Sequence, residues 1–250
     1  MRKFFSLILL LFLLVRCSTT VDYSKMSAQE YLNYAIGLYK SGDYQEAINE
    51  FQSIILQYPG NKITDDAQYY LGMSYFKNGQ YLLAAYQFSK LIKDFSGSTY
   101  VPDAQFQLAE SYYKLSPPYQ LDQTYTRKAI EEFQAFIDFF PTNPKVKIAS
   151  SRIEELHNKL AQKEYMAAII YEKMEFYRAA IIYFGNVIKK FHDTKYAPMA
   201  LYHKIKLLIL EDEKQEAIRQ AKIFLQNYPQ APNYADVKKL IKKLEKKTNG

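Results

Sequence analysis

The sequence has one cysteine, no tryptophan, eight glycines and nine prolines in 250 residues. A lone thiol, Cys17, excludes a disulfide within the chain and any zinc site built on cysteine pairs. So few glycines and prolines argue against the closely spaced turns of an all-β fold. Catalytic signatures are missing as well. His157, His192 and His203 are scattered, with no i, i+4 pair to hold a metal. There is no glycine-rich phosphate loop and no Gly-x-Ser-x-Gly elbow. Glu131/Glu132 and Glu154/Glu155 are adjacent in helical stretches, so the members of each pair point to different faces, and solvated surface charge is expected for them. An enzyme is not expected, nor a cofactor, nor a metal site.

A basic excess is present, but its location disarms it. Of the formal +7, Arg2, Lys3 and Arg16 precede Cys17, and six lysines from Lys238 to Lys247 face only Asp236 and Glu245. Residues 17–233 hold 24 basic and 24 acidic residues. A neutral body carries no electrostatic footprint for nucleic acid.

The most apolar run, Phe4 to Val15, is twelve residues long and follows Met1-Arg2-Lys3. A membrane-spanning helix needs roughly 20 apolar residues, whereas this length suits the core of a secretory signal peptide. Cys17 closes the segment in Leu14-Val15-Arg16-Cys17, which resembles a bacterial lipobox. In such a box the thiol is acylated and the chain is cut just before it. An ordinary signal peptide with an incidental cysteine is the plainer alternative. Arg16 stands where Gly, Ala or Ser is usual. Residues 1–16 are thus expected to be a lipoprotein signal peptide, and 17–27 the lipidated cysteine with a polar tether. Ser18, in place of Asp, resembles lipoproteins sent on to the outer membrane.

The remainder repeats itself. Ala47, Ala84, Ala129, Ala180 and Ala217 are each followed eleven residues later by an aromatic: Tyr58, Phe95, Phe140, Phe191 and Tyr228. In four copies another aromatic sits four residues after the alanine: Phe51, Phe88, Phe133 and Phe184. Each copy reads as two helices, the second with apolar residues at three- and four-residue intervals and a proline past its end in three copies. Gly42 and Gly79 mark tight turns within the pairs. The pattern resembles the tetratricopeptide repeat, with Leu71-Gly72 and Tyr75 in the second copy and Leu108-Ala109 and Tyr112 in the third. The expected fold is all-α: a right-handed superhelix of five tetratricopeptide-like helix pairs plus a C-terminal capping helix. Residues 28–250 would be one solenoid, with repeats at about 28–59, 64–96, 101–141, 144–192 and 197–229 and the capping helix at 233–247. The third copy has eight extra residues around Ser116-Pro117-Pro118-Tyr119. The fourth has 14, read as a first helix lengthened by about four turns.

Candidate binding residues lie on the first helix of each pair. One column is Leu32, Tyr69, Phe106, Tyr165 and Tyr202; a second is Ile36, Met73, Glu110, Ile169 and Lys206. A third pairs each aromatic with a lysine: Tyr39-Lys40, Phe76-Lys77 and Tyr113-Lys114, at 37-residue steps. Two readings stand side by side. These aromatics pack against the preceding repeat, or they line an apolar groove rimmed by ammonium groups. Such a groove suits a peptide with aromatic side chains and a terminal carboxylate.

Lipobox, five repeats and two insertions together resemble the BamD family, lipoproteins of the outer-membrane β-barrel assembly machinery. The most specific stretches are Asp122 to Ala129 running into Phe133 to Pro141, and Ala161 to Asp193. Arg16 and the weak fifth repeat, with Ile205 in place of a small residue, depart from the pattern. The resemblance implies a lipid-anchored scaffold on the outer membrane, facing the periplasm. It also implies that N-terminal repeats receive the C-terminal signal of unfolded outer-membrane proteins, while C-terminal repeats grip the periplasmic domains of a BamA-type barrel protein. A pilotin-like or cell-envelope coordinating repeat lipoprotein is the alternative.

Overall fold

In the computed structural model, residues 26–248 are described and all their regular structure is α-helical. The proposed signal peptide, Cys17 and most of the tether lie outside the described residues. Eleven helices follow one another: α1 (Ala28–Ser41), α2 (Tyr44–Gln57), α3 (Thr64–Lys77), α4 (Tyr81–Asp94), α5 (Val101–Leu115), α6 (Thr124–Phe139), α7 (Val146–Lys173), α8 (Tyr177–Lys190), α9 (Tyr196–Leu210), α10 (Lys214–Asn227) and α11 (Tyr234–Thr248). Each packs on the next. In addition α1 touches α3, α3 touches α5 and α7 touches α9, so the first helices of successive pairs form a layer of their own.

Local chemistry sets the starts and stops. At the head of α1, Ser27 and Glu30 form a reciprocal capping box that satisfies two orphan backbone N–H groups. In four of the five pairs the chain turns through one left-handed residue, five positions before the repeat alanine. Glycine fills it in the first two pairs, Gly42 at φ 93° and Gly79 at φ 76°. In the last two pairs Glu175 and Asp212 adopt φ 61° and 60°. A side chain in this region costs about 1–2 kcal/mol, so the later turns are held by what they connect.

The core is the repeat signature made solid. Ala47, Ala84, Ala129, Ala180 and Ala217 are wholly buried, as are Phe51, Phe88, Phe133 and Phe184. Small residues on the first helices let the second helices approach. A Cβ on Gly72 would lie 2.6 Å from the Phe88 ring, closer than any real side chain sits. Ile205, the departure in the fifth pair, is also fully buried, in one cluster with Ala221 and Phe224.

Both insertions appear where the spacing put them. Helix α7 has 28 residues, against 14 or 15 in the other first helices. The extra residues of the third copy form the loop 116–123. On α11, Val237, Ile241 and Leu244 are buried, with Leu240 half-buried beside them.

Candidate peptide-binding face

The columns on the first helices divide into buried and exposed parts. Leu32 and Phe106 are 2 % and 7 % exposed, so their surface is spent on the core. Phe106 sits edge-on to Phe133 and Phe136 at 5.8 and 5.3 Å. Leu32 was expected among groove residues because it shares a helical face with Ile36 and Tyr39. The loss of its surface reflects a neighbouring helix that covers the N-terminal half of that face. Tyr69 is half-buried, stacked on Tyr100 with centroids 4.3 Å apart and edge-on to Tyr70 at 5.5 Å. Burial pushes its phenol far above the ordinary value. Ile36 and Met73 are half-buried against the same core.

The aromatic-lysine pairs split in a consistent way. Tyr39 packs on Tyr44 and Tyr70 at 5.8 and 5.5 Å. Phe76 sits edge-on to Tyr81 at 5.2 Å. All three aromatics remain half-buried, while Lys40, Lys77 and Lys114 are exposed. The rings are thus anchored by packing, and the ammonium groups stand free of ion pairs among the described residues.

Tyr113 is different, because α7 crosses over it. The Arg152 guanidinium lies 4.1 Å above its ring centroid and donates to its hydroxyl at 2.9 Å. That hydroxyl in turn donates to Glu155 at 2.8 Å. Arg152 Nε also reaches Glu110 Oε1 at 3.1 Å, and Glu110 is only 8 % exposed. Burial opposes the Arg152 charge, yet Glu110, Tyr113 and Glu155 together raise its pKa. Burial and the Glu155 hydrogen bond raise that of Tyr113. Sequence reasoning missed Arg152. Its signal was Glu110 itself, a carboxylate that follows Ile36 and Met73 in its column and, once buried, demands a cation. Glu155 is exposed, as expected of a solvated carboxylate, yet it also accepts from Tyr113; Glu132 departs further, being half-buried and accepting from Gln105 Nε2 at 2.8 Å. Both are recruited by a neighbouring helix that adjacency in sequence does not reveal.

The two insertions meet. Lys163 Nζ donates to the carbonyls of Tyr119, Gln120 and Leu121 at 3.3, 3.2 and 2.8 Å. Lys159 Nζ reaches Ser116 Oγ at 2.8 Å, and burial lowers its pKa. Gln123 closes the loop from inside by donating to Pro118 and Leu121 carbonyls. A cavity of about 650 Å³ lies between this loop, the middle of α7 and the start of α9. No helix among the described residues is long and apolar enough to cross a membrane.

Comparison with known proteins follows the same outline. Over 211 residues the chain is 28 % identical to the outer membrane protein assembly factor BamD of Rickettsia prowazekii, covering 84 % of each. It is 23 % identical over 219 residues to the factor of the same name from Caulobacter vibrioides, covering 88 % of this chain and 60 % of that one. Among solved structures it is similar to a thermophilic TPR protein of Thermus thermophilus, with 18 % identity, a TM-score of 0.37 and coverage of 87 % and 98 %. It is also similar to the TPR2AB domain of yeast Sti1, with 13 % identity, a TM-score of 0.41 and the same coverages. The pattern of the YfiO family, described as an outer membrane lipoprotein, matches residues 24–209, from the head of the first helix pair to the end of α9. With that match spanning four of the five helix pairs and both insertions, the chain belongs to the YfiO outer membrane lipoprotein family.

Proposed function

We propose that this chain is a non-catalytic scaffold for outer-membrane protein assembly, held at the outer membrane through Cys17 and facing the periplasm. The observation that carries this reading is the family match across residues 24–209, together with two relatives named as assembly factors. In this role the first three pairs receive the unfolded outer-membrane protein. The later pairs hold a BamA-type barrel protein. The half-buried, fixed rings of Tyr39 and Phe76 offer apolar contact at little cost in side-chain entropy, while Tyr113 bounds the site where Arg152 covers its ring. Lys40, Lys77 and Lys114 supply free ammonium groups beside them for a terminal carboxylate. Ile36, Tyr69 and Met73 extend the apolar floor.

A titration of a barrel-protein C-terminal peptide tests the site. The Lys40→Ala/Lys77→Ala/Lys114→Ala variant should bind roughly tenfold more weakly, as expected when exposed charges on the rim are removed. Unchanged affinity removes the lysines from the site. Mild crosslinking in cells tests the wider role. An Omp85-type barrel protein should copurify, and recovery of a secretin in its place would support the pilotin-like reading.

A further inference from the structure

The lysine-rich face of α11 is left unexplained by packing. Lys239 and Lys243 form one row along the helix, and Lys238 and Lys242 form a second about 100° around it. All four are exposed. None has an ion-pair partner among the described residues, since the nearby Glu245 is taken by Lys222 at 3.7 Å. Like charges at i, i+4 destabilise a helix, and Lys238 and Lys239 lie too near the N-terminal end to be favoured by the helix dipole. The neighbouring first helix adds to the same charge. Lys206 of α9 lies 5.6 Å from the ring centroid of Tyr202. Lys206, Lys239 and Lys243 line a notch of about 290 Å³ with Tyr202 and Leu240, and Asp236 is its one acid.

We infer that this face docks on an anionic phospholipid surface, with one phosphate headgroup seated in the notch. Three ammonium groups around an amphipathic floor match a phosphate diester with its glycerol backbone. The second row favours a surface over a single acidic peptide. A carboxylate-bearing strand meets one row at a time, whereas an array of headgroups meets both. The buried stripe of Val237, Ile241 and Leu244 turns this face outward and holds it rigid. The contact would act as an electrostatic second hold beside an acyl anchor and would weaken with salt.

The absence of tryptophan provides the test. Leu240→Trp in the full chain, reconstituted into vesicles, places a single tryptophan at the notch, excited at wavelengths the tyrosines do not absorb. Acrylamide quenching should fall at least twofold between zwitterionic vesicles and vesicles with about 30 % anionic phospholipid, where polybasic segments are attracted. The protection should vanish in Lys206→Gln/Lys239→Gln/Lys243→Gln and in about 0.5 M salt, where the screening length is only a few ångströms. Equal quenching in both vesicles overturns the inference. Protection by added polyglutamate, with none from anionic lipid, also overturns it and assigns the face to an acidic protein. Circular dichroism checks that the reporter folds, and Tyr202→Trp replaces it otherwise. If the anchor proposed above is wrong, the chain stays in the aqueous fraction. Flotation with anionic but not zwitterionic vesicles then still decides the matter.

Discussion

The first two helix pairs and the middle of the chain are held together by different forces. From α1 to α4 the period is regular, the turns use glycine and the contacts are mostly apolar, with a few hydrogen bonds between helices such as Gln68 Nε2 to Gln87 Oε1 and Gln52 Nε2 to the Tyr75 hydroxyl. Phe88 lies against Gly72, and Tyr69 stacks on Tyr100. From α5 to α7 the period is broken by insertions, and side-chain polar contacts take over. Arg152 joins Glu110, Tyr113 and Glu155, while Lys159 and Lys163 fasten the loop 116–123. A regular repeat rests mainly on shape complementarity with its copy. The insertion presents backbone carbonyls, and α5 a buried carboxylate, that no copy satisfies, so cations from the longer helix do so.

The largest effect should come from the apolar region. Phe88→Ala removes a fully buried ring and should cost about 3–5 kcal/mol in denaturant melts. A loss under about 1 kcal/mol would mean the site collapses freely and the contrast is overdrawn. In the polar region, Arg152→Met strands Glu110 and should cost about 1–3 kcal/mol. Adding Glu110→Leu should recover much of it, because replacing both partners of an ion pair is nearly neutral. A double variant as unstable as the single would show that the pair itself holds α7 on α5.

A smaller effect sharpens the difference between early and late turns. Glu175→Gly and Asp212→Gly relieve left-handed side chains and should each stabilise by about 0.5–1 kcal/mol, while Gly42→Ala should cost about 1 kcal/mol. Thermal melts of the three variants give the signs directly. At neutral pH the last effect is silent. Burial raises the phenol pKa of Tyr31 to about 12, and those of Tyr69 and Tyr100 further. A folded value above the unfolded one contributes stability that is complete below about pH 10 and lost as pH rises through the folded value. Alkaline titration followed by circular dichroism should therefore melt the first two pairs above about pH 10, with tyrosine ionisation rising in step. Exposed tyrosines such as Tyr86 ionise first, and ionisation of all 24 at an ordinary phenol pKa with helix intact would contradict the burial of these rings.

Much of this was legible in the residue order. The alanine and aromatic positions marked all five second helices, and the interval between Ala129 and Ala180 announced the long α7. The charged clamp was not legible. Glu110 and Arg152 are 42 residues apart on helices of different repeats, and their meeting depends on how α7 crosses α5. Nor could spacing tell that Glu175 and Asp212 take up the turn conformation that Gly42 and Gly79 adopt. The constraint there comes from the helices on either side.

By itself the residue order determined the helix pairs, their phase and the neutral charge of the body, because hydrophobic periodicity and turn chemistry act over a few residues. Only the tertiary structure decided which aromatics are spent. Leu32 and Phe106 disappear into the core, Tyr39 and Phe76 keep part of a face, and Tyr113 is roofed by Arg152. Burial is a sum over neighbours contributed by distant segments, and no periodicity within one helix contains that sum.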